Sequence, residues 1–190
     1  MIMETVLRRE LIVDRRICKI IGVGFFVMAT ALGAFVRIPL PFTPVPITMQ
    51  TFFVLLSGAF LGSGLGLTSQ AIYLVIGCLG LPIFSQGNFG FAYILGPTGG
   101  YILGFIMAAY FIGRSLDAGI NKPWRVFLYF LTADLIILSC GSLWLSKVFN
   151  ISLFKASLLG FLPFVPGNLI KISFATILYG KLKNRLEQIF

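Results

Sequence analysis

Six apolar stretches dominate the chain, separated by short polar or proline- and glycine-rich breaks. They run from about Ile20 to Val36, Ile47 to Leu61, Leu65 to Leu81, Gly99 to Ile112, Val126 to Trp144 and Gly167 to Leu182. A helix crosses a bilayer with roughly 20 apolar residues, each advancing it about 1.5 Å. Each stretch therefore predicts a membrane span. Several are short and glycine-rich, which predicts a compact bundle of tilted or broken helices. A further apolar stretch, Leu153 to Phe164, precedes Pro166-Gly167 and predicts either a short outer helix or the beginning of the sixth span.

The breaks carry their own pattern. Arg37-Ile-Pro-Leu-Pro-Phe-Thr-Pro-Val-Pro46 holds four prolines in eight residues. Proline has no N–H and keeps its predecessor extended, so an ordered non-helical loop is expected. Gly62-Ser-Gly-Leu-Gly66 predicts a tight turn between the second and third spans. Pro82 to Gly100 is glycine-rich and uncharged. Irregular backbone of that kind survives at membrane depth only when protein or a cavity surrounds it, so this segment is expected to tuck inward.

Composition sharpens the class. Of 190 residues, 58% are hydrophobic and only 11% charged. Soluble domains carry about 25% charged residues, and a chain of this size cannot hide so much apolar surface from water. A water-soluble domain and a disordered chain are both excluded. The expected fold is an all-α integral membrane protein, a six-transmembrane-helix bundle with ordered Pro-rich and Gly-rich outer loops. It forms one membrane domain over 1–190, with a cytoplasmic segment at 1–19, the bundle at 20–182 and a cytoplasmic tail at 183–190. No leader with a good cleavage site is read at the N-terminus.

A net charge of +9 would suggest nucleic acid in a soluble protein, but here the charges cluster at span ends and none is expected to bind it. Arg8, Arg9, Arg15, Arg16, Lys19, Arg114, Lys122, Arg125, Lys181, Lys183 and Arg185 fall on one side, against Arg37, Lys147 and Lys155 on the other. The positive-inside rule then places both termini in the cytoplasm of a plasma-membrane protein, with the Pro-rich and Gly-rich loops outside.

Several chemistries are missing from the sequence. There is no His, so His-based acid–base work, His metal ligation and Ser-His or Cys-His nucleophile pairs are excluded. Cys18, Cys78 and Cys140 are far apart and form no metal spacing. No phosphate-binding GxxxxGK[ST] loop occurs, so any ATP hydrolysis must come from another chain. No cofactor, metal or catalytic residue is expected.

The polar groups that packing alone does not require converge on the outer side. Thr48 and Gln50 lead into the second span and suit the hydrogen-bonding edge of a solute site, although Thr48 could also cap that helix. Phe84, Gly87, Asn88, Phe89, Gly90, Tyr93, Gly96, Thr98, Gly100 and Tyr101 combine exposed backbone donors with apolar walls for a small solute. Close helix packing is the other reading of Gly99 and Gly100. Asn168 and Lys171 are three apart and share a helix face. A lysine at mid-membrane costs roughly 2.5–3.5 kcal/mol on insertion scales, which marks a functional candidate. Snorkelling to the outer interface is the alternative for Lys171, and helix capping for Asn168. Asp134 is the one acid well inside a span; its place in the fifth stretch predicts a depth closer to the cytoplasm than Lys171.

Pro44-Val-Pro-Ile-Thr-Met-Gln-Thr51, Gly80-Leu-Pro-Ile-Phe84 and Leu95-Gly-Pro-Thr-Gly-Gly-Tyr-Ile-Leu-Gly-Phe105 resemble the BioY family, the biotin-binding S components of energy-coupling factor (ECF) transporters. The likeness runs from about Ile20 to Leu182. It implies a six-helix S-component fold, high-affinity biotin uptake, and a module with a transmembrane T component and two ATPase subunits. It further implies that Phe84, Phe89, Tyr93 and Tyr101 pack on biotin, that Asn168 and Lys171 meet its ureido group, and that Ala29 and Gly33 on the first helix dock on the T component. Gly87, Gly90, Gly99 and Gly100 are read as hinges for loop movement.

In one respect the chain departs from the resemblance. The family typically carries Pro-Gly-Asp-x-x-Lys at the start of the last helix, and Asn168 stands here where the Asp would be. Its carbonyl can still accept and its amide donate, without the charge assistance of a carboxylate. Uptake of another vitamin, solitary facilitated or proton-coupled biotin transport, and an intramembrane enzyme are the other readings that the sequence leaves standing.

Overall fold

The computed structural model describes residues 2–117, 119 and 122–186. Its helices are α1 (Ile2–Phe35), α2 (Gln50–Cys78), α3 (Phe91–Ile94), α4 (Gly99–Leu116), α5 (Pro123–Phe149), α6 (Leu153–Gly160) and α7 (Val165–Leu186). Two short strands, β1 (Arg37–Ile38) and β2 (Ile47–Thr48), pair antiparallel across the Pro-rich loop, with Arg37 opposite Thr48 and Ile38 opposite Ile47. Among the described residues, five helical segments are long and apolar enough to cross a bilayer.

One of those five is two spans. Inside α2, Gly62 has φ +76° and ψ 179°, values that end a helix. Gly66 lies against Gly58, where a Cβ would stand 2.8 Å from the Gly58 Cα. In a straight helix these positions would be roughly 12 Å apart. The chain has folded back at Gly62, and the arms on either side are the expected second and third spans. The Gly62–Gly66 turn is thus confirmed, and six spans emerge from five continuous segments.

Small residues set the helix spacing. Gly58 abuts the Ala109 backbone of α4, and Gly104 on α4 meets Ile137 of α5, where a Cβ would stand 3.0 Å from the Ile137 Cα. Lipid offers helices no hydrophobic reason to associate, so such close approach supplies the packing. A buried polar cluster adds to it. Gln70 Nε2 donates to Ser57 Oγ at 3.0 Å and Ser69 Oγ at 3.2 Å, and Thr30 Oγ1 lies 3.4 Å from Gln70 Oε1. This cluster ties α1 to both arms of α2. On the outside the bundle is apolar: Phe25, Met28 and Leu32 on α1 are all more than 60% exposed, as a lipid-facing surface requires.

The inner half is filled. Phe26, Phe60, Tyr179 and Phe130 form a row of aromatic contacts with centroids 5.6 to 6.4 Å apart. The half that bears the Pro-rich and Gly-rich loops stays open because α7 starts short of that end. Asn150 ends α5 in the left-handed conformation, φ 52°, and turns the chain back; α6 follows, capped at its start by Ser152. Tyr101 Oη donates to the Gly160 carbonyl at 2.6 Å and holds the end of α6 against α4. The Leu153–Phe164 stretch is thus a separate short helix with a 3-10 turn, not the beginning of the sixth span.

Candidate functional site

Five elements meet where α7 begins. The Pro-rich loop delivers Thr48 and α2 its first turn, Gln50 and Thr51. From the Gly-rich segment come Ser85, Tyr93 and Thr98, while α4 and α5 supply a wall. Together with Asn168 and Lys171 they enclose a cavity of about 530 Å³, counted out to its open mouth.

The polar end is a chain of three side chains. Asn168 Nδ2 lies 2.8 and 2.9 Å from the two carboxylate oxygens of Asp134, and Lys171 Nζ donates to Asn168 Oδ1 at 2.8 Å. Lys171 Nζ also donates to the Thr48 carbonyl at 2.8 Å and to Thr51 Oγ1 at 3.0 Å. Lys171 has three N–H donors, and all three are engaged. Asp134 and Asn168 are each 3% exposed and Lys171 9%. A charge buried that deeply persists only when paired and hydrogen-bonded. Here Asp134 provides the opposite charge across the Asn168 amide.

This geometry decides several open readings. Lys171 does not snorkel, because its ammonium points into the bundle. Asn168 is not a cap, because its amide bonds to side chains. Thr48 caps nothing either: the N-cap of α2 is Met49, whose N–H reaches the carbonyls of Gly33 at 3.1 Å and Val36 at 3.0 Å. Asp134, expected at a different depth from Lys171, meets the same Asn168 amide. Fifteen residues of α5 lie beyond Asp134, roughly 22 Å of helix, whereas Asn168 is only three residues from the start of α7. The two meet because α7 starts well below the outer end of α5.

Behind the polar end runs a second relay. Gln50 Nε2 donates to Tyr73 Oη at 2.6 Å, and Tyr73 Oη donates to the Ile83 carbonyl at 3.1 Å. Thr48 Oγ1 donates to Gln50 Oε1 at 3.3 Å. The apolar wall consists of Tyr101, Ile102 and Phe105 from α4, Ile137 and Leu138 from α5, and Phe164 ahead of α7. Ser85 Oγ is buried on the lining and has no hydrogen-bond partner among the described residues.

Of the site residues expected from sequence, Thr48, Gln50, Tyr93, Thr98, Tyr101, Asn168 and Lys171 line the cavity. The others do not. Phe84 is fully buried beneath it, stacked on Tyr93 at 5.1 Å and edge-on to Tyr73 at 5.6 Å. Phe89 is 59% exposed and off the lining. Gly87 and Gly90 form turns with positive φ, and Asn88 braces the loop through Nδ2 to the Ser85 carbonyl at 2.8 Å. The Gly96 carbonyl accepts from Trp144 Nε1 at 2.9 Å. Gly99 and Gly100 are close-packing positions against Ile94 and Trp144. Ala29 is 6% exposed, and Gly33 faces Phe53 and the Gln50 backbone. Gly33 lies inside the α1–α2 contact, and Ala29 is buried one helical turn before it.

Sequence reasoning missed Thr51, Ser85 and the α5 wall. A signal existed for the last: Ile137 and Leu138 are one helical turn from Asp134 and share its face. A larger recess of about 1100 Å³ lies between α1, α2 and α7, lined by residues such as Phe25, Phe53, Phe60 and Leu178. Its lining is apolar but for the weakly hydrogen-bonding thiol of Cys18.

The chain matches the BioY family over residues 7–188. It is 38% identical over 161 residues to the probable biotin transporter BioY of Pyrococcus horikoshii, covering 85% of this chain and 93% of that one. It is 36% identical over 165 residues to the biotin transporter BioY of Thermotoga maritima, covering 87% and 95%. The solved structure of the S-component for biotin from an ECF-type ABC transporter superposes with a TM-score of 0.85 at 27% identity, covering 90% of this chain and 93% of that one.

Proposed function

The chain belongs to the BioY family and has the S-component fold, and from that premise we propose that it is the membrane subunit that captures biotin for uptake. The observation that carries this reading is the pairing, within one cavity, of a buried donor–acceptor cluster with an aromatic and aliphatic wall. Biotin has the same division, a cyclic urea at one end and an apolar ring and alkyl chain beyond it.

In this reading the urea meets Asn168 and Thr51, both held by Lys171. The Asn168 carbonyl has one lone pair left after accepting from Lys171 and takes a ureido N–H. Thr51 Oγ1 accepts from Lys171, which leaves its O–H to donate to the ureido carbonyl. The bicyclic ring and alkyl chain pack on Tyr93, Tyr101, Phe105 and Phe164. The Ser85 hydroxyl supports a contact with the carboxylate. No covalent step is involved.

Release to the cell interior requires energy, and no nucleotide-binding loop exists in this sequence. The proposal therefore includes a transmembrane T component and two ATPase subunits that hydrolyse ATP. It places both termini in the cytoplasm of the plasma membrane, consistent with six crossings and with the basic residues at the inner ends.

Calorimetric titration of the purified chain with biotin and desthiobiotin tests the binding step. Saturable binding that thiamine, riboflavin and pantothenate do not displace is expected. Displacement by one of those vitamins, with no response to biotin, would overturn the substrate assignment. Uptake by cells expressing the chain with and without a T component and ATPases tests the assembly; full uptake by the chain alone would remove the module.

A further inference from the structure

Asn168 can place either its carbonyl or its NH2 toward the cavity, and the two choices read opposite ligand groups. The hydrogen-bond network decides between them. A carboxylate only accepts and an ammonium only donates. With Asp134 on one side and Lys171 on the other, a single orientation satisfies both: Nδ2 to Asp134 at 2.8 and 2.9 Å, Oδ1 to Lys171 at 2.8 Å. The flipped amide would set oxygen against carboxylate and NH2 against ammonium. Asp134 is off the cavity lining, whereas Asn168 and Lys171 are on it. The donor end of the amide is therefore turned away from the ligand and the acceptor end toward it.

We infer that Asp134 is the positioning residue of the site: by fixing the Asn168 amide it makes a neutral side chain act as a dedicated acceptor for a ligand N–H. The inference rests on the biotin reading above and adds to it. Asp134 never touches the ligand. Its carboxylate works through Asn168, thirty-four residues away in sequence, and sets the site's preference for a ring N–H over a ring oxygen. In Asp134→Asn that preference weakens, because the amide now at 134 accepts either orientation and Lys171 alone still holds the Asn168 carbonyl.

The test uses the full chain in nanodiscs and three ligands of equal shape: biotin, and the two cyclic carbamates in which a ring oxygen replaces one or the other ureido N–H. The parent is expected to bind biotin at least about tenfold more tightly than one of the two carbamates, the cost of facing an acceptor with an acceptor. In Asp134→Asn biotin weakens more than the carbamate does and the ratio falls severalfold, with Lys171 alone still favouring the carbonyl orientation. In the exchange variant Asp134→Asn/Asn168→Asp the ratio returns, since the carboxylate now on α7 presents only acceptors and the amide now on α5 can donate to it. A purely structural Asp134 would lower both ligands together and leave the ratio unchanged, and that result overturns the inference. A ratio that stays lowered in a folded exchange variant overturns it as well. If Asp134→Asn does not fold, judged by its melting profile, the exchange variant carries the test by itself. If the parent binds no biotin, the functional reading falls first and this inference with it. Biotin binding with an unchanged ratio sinks the inference alone.

Discussion

Gln50 Nε2 donates to Tyr73 Oη at 2.6 Å, joining the outer ends of the two arms of α2 across the fold-back at Gly62. The same hydroxyl donates to the Ile83 carbonyl, so one phenol links the Pro-rich side of the cavity to the Gly-rich side. Tyr73→Phe keeps the ring and its edge contact with Phe84 but leaves Gln50, 5% exposed, with a buried unpaired donor. The expected cost is about 1–3 kcal/mol of stability. A lowered melting temperature in detergent, together with a several-fold weaker biotin affinity, checks it.

Removal of the Lys171 ammonium strips three acceptors of their donor and leaves Asp134 without an opposite charge. Breaking a buried pair costs about 3–5 kcal/mol. Lys171→Ala is expected to lose biotin binding by more than about a hundredfold. Calorimetry on the folded variant measures this directly, and parent-like affinity would take the residue out of the site.

Asn168→Asp alone brings a second carboxylate against the first, at the 2.8 Å now occupied by an amide donor. Like charges at that distance repel strongly inside a bundle. The single variant is therefore expected to bind biotin worse than the parent, despite matching the more usual family residue. Titrations of the two side by side give the answer, and tighter binding by the variant would contradict the arrangement described.

Two phenylalanines of one loop should behave oppositely. Phe84 is completely buried between Tyr73 and Tyr93, and its loss to Ala is expected to cost about 3–5 kcal/mol through the cavity left behind. Phe89→Ala, at an exposed position off the lining, is expected to leave the melting temperature unchanged and the biotin affinity within about twofold of the parent. Thermal unfolding and binding of the two variants separate them.

The membrane class and the six spans were legible because lipid makes one demand on every residue of a span. The fold-back was also readable, since Gly62-Ser-Gly-Leu-Gly66 cannot be held in a straight helix at small cost. Lys171 stood out because an ammonium among isoleucines has no packing purpose. What did not read was depth. Counting along the fifth stretch put Asp134 below Lys171, and nothing in the sequence says that α7 starts far beneath the outer end of α5. The Gly-rich loop misled for a related reason: its residues are special throughout, but Phe84 supports the wall from behind and Phe89 faces outward, a distinction that depends on which way each turn rotates. Ala29 and Gly33 carry a small-residue spacing that serves contact with α2 as readily as contact with another chain.

The ammonium of Lys171 grips the main chain of Thr48, not its side chain. Exchanging the residue at 48 therefore leaves that clasp between the last helix and the Pro-rich hairpin in place. The rim can be retailored to a different guest without unlatching the two walls, whereas any pull that draws α7 away from α2 breaks the clasp at its anchoring carbonyl and opens the polar end first.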